Sequence, residues 1–450
     1  MQIHSDEPAE VDGLHRQHIR DEIATVAATA TPPLVLGVHG DWGSGKTSFM
    51  KHVRKELDEK HMNNVVTVWF EAWRYQNEPV PVVALLQEMR HAFSKIEKIK
   101  TRFGKYAEIA FRTLLSSLND LAKLVQLESL PFSAEKIQLL GDQWEKEHLE
   151  SKLAVDSLQQ SLQEAIGILL PESEDPSPRV VIFIDDLDRC NPEMAYRLLE
   201  GLKIYLNLTN CVFVLAMNQQ IVIKAIASVM KKEDDDARVR LEAEAYLEKL
   251  CANIWRLPPP KHSHKFLTDL LDAEQTTPIQ AIADAAQISR PFLPPNPRRL
   301  KALANLYNRL WQRARVSDKI FLDHPDKNAL ALRILVVAYV YQFHSEFYQR
   351  WRHDPTFLEE LRIWMQSGKP KLIQNRENRD VPDPAFFALI LPSFAKADTA
   401  SSSPTPTPNI ISNYPDPSAP GVFWIAPLLQ GPLADDGPEN YRDLLNLEQA

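Results

Sequence analysis

The chain has 450 residues, 44% of them hydrophobic, which is long for one core and enough to build two or three packed units. A formal net charge of -9 excludes a surface that is basic throughout, so nucleic acid is disfavoured as a partner, although a local basic groove stays open. The three cysteines, Cys190, Cys211 and Cys251, lie far apart with no Cys-x-x-Cys, which excludes a disulfide framework and a zinc knuckle and fits a reducing cytoplasmic setting.

In chain order, MQIHSDEPAEVDGLHRQHIRDEI is charged from its start and lacks the apolar core of a secretion signal. An amphipathic helix is expected near 14 to 29. It is followed by the strand LVLGVH, a glycine-spaced loop, a helix from about 46 to 59 and the strand NVVTVWF, together one βαβ unit. Residues 82 to 170 carry helical apolar spacing, and 96–170 reads as a helical insert. After PESEDPSP, the continuous apolar run RVVIFID predicts a strand buried on both faces. A helix with Asn191 as N-cap and Pro192 in its first turn comes next, then the strand CVFVLAM and another helix. The longest charge-free window, Ile204 to Ile223, is interrupted by Asn207, Asn210, Asn218, Gln219 and Gln220, so no membrane span is expected.

The fold class is therefore α/β, a parallel sheet flanked by helices, with its core over 1–95 and 171–237. From 238 the pattern reads as all helical: a helical lid over 238–316 broken at RLPPP, then a helical C-terminal region over 317–394 containing about two helices between 327 and 367. A Pro/Ser-rich linker over 395–420 leads to a tail over 421–450, whose GVFWIAPLL patch either folds back on the body or docks elsewhere. The run KKEDDDARVR reads as a solvated loop, and the aromatics Trp69, Phe70, Trp73 and Tyr75 as core packing.

Glycine is scarce, 13 in all, so the cluster between 37 and 45 answers a local need. Gly40-Asp41-Trp42-Gly43-Ser44-Gly45-Lys46-Thr47 fits G-x-x-x-x-G-K-[ST], with a buried strand leading in and a helix leading out, and these eight residues with Ser48 are the candidate nucleotide contacts. In that setting backbone N–H groups and a helix N-terminus converge on an anion, the phosphates of ATP. Lys46 would neutralise β and γ oxygens and the Thr47 hydroxyl would ligate Mg²⁺. The plain alternative is a tight strand-to-helix turn carrying a surface lysine.

Phosphoryl transfer also needs a carboxylate at the end of a neighbouring buried strand. In VVIFIDDLDR, Asp185 would reach the Thr47-bound Mg²⁺ and Asp186 would polarise the attacking water, unless these acids are a solvated strand end and Asp188 a helix-start charge. Asn218 ends the next strand. If that strand lies beside the one carrying Asp185, Asn218 would sense the γ-phosphate or hold the lytic water; otherwise it is a turn residue. In NPRRLKAL, Asn296 and Pro297 start a helix and place Arg298 and Arg299 in its first turn. Cations there oppose the helix dipole and call for an anionic partner, either ATP phosphates or an acidic side chain. Arg189 competes with them as a transition-state arginine, in its own subunit or across an interface.

Five segments in order, GDWGSGKTSFM, VWFEAWRYQNEP, VVIFIDDLDRCNPE, YLEKLCANIWRLPPP and NPRRLKALANLYN, resemble the KAP family of P-loop NTPases, within the AAA+-like additional-strand division. The resemblance covers about residues 4 to 315. It implies a P-loop ATPase core with a helical lid, Lys46 and Thr47 in the phosphate loop, Asp185 on the metal and the DDLDR acids and arginine at the active rim. Two departures matter. Glu71 stands where the family's aromatic motif has Asn, and residues 82 to 170, where many relatives insert transmembrane helices, are amphipathic and charged. The resemblance implies an ATP-driven switch or motor of bacterial type acting on a protein partner, in phage exclusion or another defence pathway, with homo-oligomerisation compatible with it. Two alternatives stand beside it, a nucleotide-binding scaffold with little hydrolysis and a nucleic-acid-stimulated ATPase.

Overall fold

In the computed structural model of the chain, the residues described are 4–61, 65–77, 81–94, 179–205, 210–230, 236–260, 263–271, 279–288, 296–367, 372–374, 380–382, 428–429 and 431–447. The expected insert at 96–170 and the linker at 395–420 lie outside them. The chain divides into two compact units, Pro8–Pro258 and Met1–Glu7 with Pro259–Ala450.

The first unit is a parallel sheet of β1 (Leu34–His39), β2 (Val65–Glu71), β3 (Arg179–Asp185), β4 (Cys211–Met217) and β5 (Asn253–Arg256), in the order β2-β3-β4-β1-β5. Every residue of β3 and β4 is buried, as apolar runs covered by helices on both faces must be. Their side chains alternate between two cores. Val181, Phe183, Val212 and Val214 pack with α1 (Gln17–Thr29) and α2 (Lys46–Lys60) through Ile23, Ala27, Phe49 and Val53. Val180, Ile182, Ile184 and Phe213 pack on the other face with α3 (Pro81–Ser94), α4 (Pro192–Tyr205), α5 (Gln219–Met230) and α6 (Asp236–Leu250). Asn191 does cap α4, its Oδ1 accepting from Met194 N at 2.8 Å.

The helical pattern beginning at 238 does not open a separate body. Its first helix is α6, which buries Ala243 and Leu247 in the sheet's core, and α6 is followed by a strand where only helix was expected. That strand, β5, runs beside β1 with Leu36 opposite Asn253 and His39 opposite Arg256. The Ile254 and Met217 side chains fill the space over Gly37, which has no side chain of its own: a Cβ there would lie 2.9 Å from Ile254 Cγ1 and 3.1 Å from Met217 Cε.

The second unit is mainly helical: α7 (Ser263–Asp269), α8 (Ile279–Ile288), α9 (Pro297–Val316), α10 (Asp318–Asp323), α11 (Lys327–Phe343), α12 (Ser345–His353) and α13 (Phe357–Ser367). Three helices, not two, occupy 327 to 367, and a short antiparallel pair, β6 (Leu372–Gln374) with β7 (Asp380–Pro382), follows them. Helix α11 is apolar on nearly every side and runs through the core. Asn296 caps α9, its Oδ1 accepting from Arg298 N and Arg299 N, and Asp326 caps α11. Of the tail, Leu428, Leu429, Leu433, Tyr441, Leu444, Leu445 and Leu447 are buried in this core, so its described part folds back on the body. Among the described residues no helix is long and apolar enough to cross a membrane.

Candidate functional site

Strand β1 ends at His39, and the turn from there to Lys46 is shaped by glycine. Gly43 and Gly45 hold φ at 78° and 87°, left-handed values that side-chain-bearing residues rarely adopt. A Cβ on Gly40 would sit 2.5 Å from Ser44 Oγ, so the loop closes tightly on itself. Its backbone is held from outside at Gly40, whose N donates to Met217 O of β4 at 3.2 Å, and at Ser44, whose O accepts from Arg16 Nη1 at 2.8 Å. Arg16 is buried, also donates to Pro258 O, and burial pushes its guanidinium down to about 10. Nothing in the local sequence singles Arg16 out, because both of its acceptors are backbone carbonyls far along the chain. Ser44 Oγ is buried and has no protein partner, an orphan of the kind a bound anion satisfies.

Lys46, the first residue of α2, is buried. Its Nζ donates to Gly40 O at 2.8 Å, to Asp41 O at 3.4 Å and to Asp188 Oδ2 at 3.2 Å. The Thr47 side chain lies close enough to Asp185 to favour its ionised form. The sequence placed Asp185 on a neighbouring strand, but β4 stands between β1 and β3, so the acid reaches across one strand. Asp185 is buried at the end of β3 and accepts from Asp186 N at 2.9 Å. Burial and the adjacent Asp186 charge push its carboxyl up to about 6, against the pull of Thr47 and Lys46.

Asp186 takes the left-handed conformation, with φ 58°, uncommon for a residue with a side chain. Burial raises its pKa, opposed by Arg189, whose Nε lies 3.0 Å from Asp186 Oδ1. The arginine and the candidate base thus occupy each other within one chain. Glu71 ends β2 opposite Asp185, pairs at 3.8 Å with Arg74 and adds to the upward pull on Asp186. The Glu-for-Asn departure therefore adds a carboxylate to the same rim.

Asn218, between the loop strand and the acidic strand, does two jobs. Its Oδ1 caps α5, accepting from Gln220 N and Ile221 N, while its Nδ2 donates to Asp41 Oδ1 at 3.1 Å. Next to it, Gln219 N donates to His39 Nδ1 at 3.0 Å, and burial lowers the His39 pKa. Asp188, read from sequence only as a rim acid or a helix-start charge, is a junction: besides Lys46, its Oδ2 accepts from Trp42 Nε1 and from Asn218 N, both at 3.1 Å. Trp42 is otherwise 56% exposed. Ser48 Oγ accepts from Ala9 N at 3.0 Å.

In the second unit Arg298 pairs with Asp6, Nη2 to Oδ2 at 2.7 Å, so an acidic side chain is its anionic partner. Arg299 lies over the Phe343 ring, 4.7 Å from the centroid. Of the aromatics read as core, Phe70 is fully buried and stacks on Tyr75, and Trp69 stacks on Phe183 with Lys51 over its ring. Trp73 instead is half exposed.

A parallel sheet covered by helices, in which a buried strand runs through a glycine-shaped loop into a helix opened by a buried lysine, is the P-loop NTPase fold; here one strand, β4, separates the glycine-loop strand from the acidic strand. The model of the KAP family P-loop domain matches residues 16–312, more than half of the chain, and the chain belongs to that family. The chain is similar to the Phage T7 exclusion protein of Escherichia coli (strain K12), 23% identical over 242 residues. That match covers 50% of this chain and 30% of the relative, so the similarity spans under a third of the relative's length. A solved structure, that of the Aeropyrum Pernix ORC2 protein (ADPNP-ADP complexes), is similar over 83% of this chain and 80% of that one. Its identity is 13% and its TM-score 0.37, too low to bear on the fold.

Proposed function

We propose that the chain is an ATP-binding, Mg²⁺-dependent ATPase that acts as a conformational switch or motor on a protein partner in the cytoplasm, in exclusion of phage. The observation that carries the reading is the buried Lys46 at the head of α2, set in a glycine-shaped loop beside the unpartnered Ser44 hydroxyl, with the buried Asp185 carboxylate at the end of β3 close enough to feel both Lys46 and Thr47. Thr47 and Asp185 fit Mg²⁺, and the glycine cradle with its orphaned Ser44 hydroxyl fits phosphate. Mg²⁺ held there would supply charge neutralisation on the transferring phosphoryl group. Lys46 would hold the β and γ oxygens, Asp186 would orient the attacking water, and Asn218 would report γ-phosphate through its contact with Asp41. As transition-state cations we propose Arg189, Arg298 and Arg299, which would first have to leave Asp186, Asp6 and Phe343 respectively.

The test is ATP turnover with Mg²⁺. Lys46→Ala is expected to abolish nucleotide binding. Asp186→Asn keeps a residue that tolerates the left-handed backbone, so it should bind normally and lose about a hundredfold or more in turnover. Normal turnover in both variants sinks the reading. The Asp186–Arg189 ion pair favours one second reading, a nucleotide-binding scaffold with little hydrolysis, which would purify with ATP that stays intact even with its partner present.

A further inference from the structure

We propose that Asp188 is an internal competitor for the phosphate-loop lysine, a residue that sets how tightly nucleotide is held and ties that affinity to Trp42 and to the end of β4. The inference rests on the nucleotide-binding reading above. A lysine ammonium has three N–H bonds, and Lys46 directs its donors at Gly40 O, Asp41 O and Asp188 Oδ2. Asp188 is the charged acceptor among them, and both members of the ion pair are nearly enclosed, their side chains 8% and 1% exposed. A phosphate oxygen approaching Lys46 therefore has to share the ammonium with a carboxylate that water screens poorly, and it meets that carboxylate's repulsion as well.

The same Oδ2 accepts from Trp42 Nε1 and Asn218 N. Those two neutral donors spread the carboxylate's charge and so set how strongly it holds Lys46. One lies in the phosphate loop and the other at the strand end that also contacts Asp41 through Asn218 Nδ2. When phosphate draws Lys46 away from Asp188, the bond to Trp42 and the bond to the β4 terminus shorten to take up the charge. Loop occupancy is thereby felt at the start of α5.

The prediction has opposite signs for two neighbouring residues. Asp188→Asn keeps an acceptor oxygen for the same donors and removes the charge, so it should tighten binding of fluorescently labelled ADP and ATP, with Mg²⁺, by about tenfold or more. Trp42→Phe removes a neutral donor, leaves more of the carboxylate's charge to Lys46 and should weaken binding severalfold. In the Asp188→Asn background Trp42→Phe should do little, so the two effects are strongly non-additive. Binding to the full-length chain is measured by anisotropy, alongside a denaturation curve for each variant. Equal or weaker binding by a folded Asp188→Asn overturns the inference. If that variant does not fold, unchanged or tighter binding by Trp42→Phe overturns it instead. A wild-type chain that binds no labelled nucleotide overturns the nucleotide-binding reading itself, whereas a wild type that binds, with unchanged variants, overturns the inference alone.

Discussion

A glycine at a left-handed position announces itself in sequence, whereas a carboxylate's partner 142 residues away does not. The spacing of Gly43, Gly45 and Lys46 was legible because the loop's needs are local. Asp188 showed only as an acid in DDLDR, since its donors come from Lys46, Trp42 and Asn218 on other elements. Gly45 allows the local argument to be tested. A Cβ there would meet Leu14 Cδ1 at 3.6 Å and Arg16 Nη1 at 3.8 Å, ordinary contacts, so the penalty of a side chain is conformational and not steric. Gly45→Ala, forced to keep φ near 87°, should cost about 1–2 kcal/mol in denaturant unfolding and weaken nucleotide binding together with it. Unchanged stability would mean that the loop does not hold this backbone conformation.

Among the elements, β3 and β4 were readable because a strand covered on both faces must be apolar at every position. β5 was not. It is four residues long, Asn-Ile-Trp-Arg, and its exposed or half-exposed side chains at the sheet edge follow neither the period of a buried strand nor that of a helix. Its existence depends on β1 leaving room for it, which local pattern does not encode. The strand order was equally invisible, because each pairing joins distant segments. The close approach is testable. Gly37→Val should destabilise the chain by about 2–3 kcal/mol through collision with Ile254 and Met217. Ile254→Ala in the same chain should recover part of that loss, because the two changes share one space. Strictly additive losses would show that β1 and β5 are not packed in this register.

Taken whole, the molecule has two units with separate cores, and its last described residues belong to the second. Composition marked the Pro/Ser-rich stretch before them, but nothing local showed that Asp436, beyond it, pairs with Arg333. That ion pair has Nε to Oδ2 at 2.7 Å and Nη2 to Oδ1 at 2.5 Å. The same arginine donates Nη1 to His324 Nδ1 at 2.9 Å, and since arginine cannot accept, the imidazole must be neutral at that nitrogen. Burial first, then the Arg333 charge, lowers the His324 pKa, while Asp323, Asp436 and Asp443 pull it up. A folded-state value below the ordinary one means that folding releases a proton as pH falls through that range. This contribution to stability is complete above about pH 6.5 and is lost on acidification. Asp185, raised in the folded state, acts in the opposite sense, so the total change with pH does not isolate the histidine. His324→Gln retains an acceptor that cannot titrate. The Tm difference between wild type and this variant, compared at about pH 7.5 and about pH 5.5, should shift against the wild type at the lower value. A difference that stays constant, or moves the other way, would show that His324 titrates alike in the folded and unfolded chain.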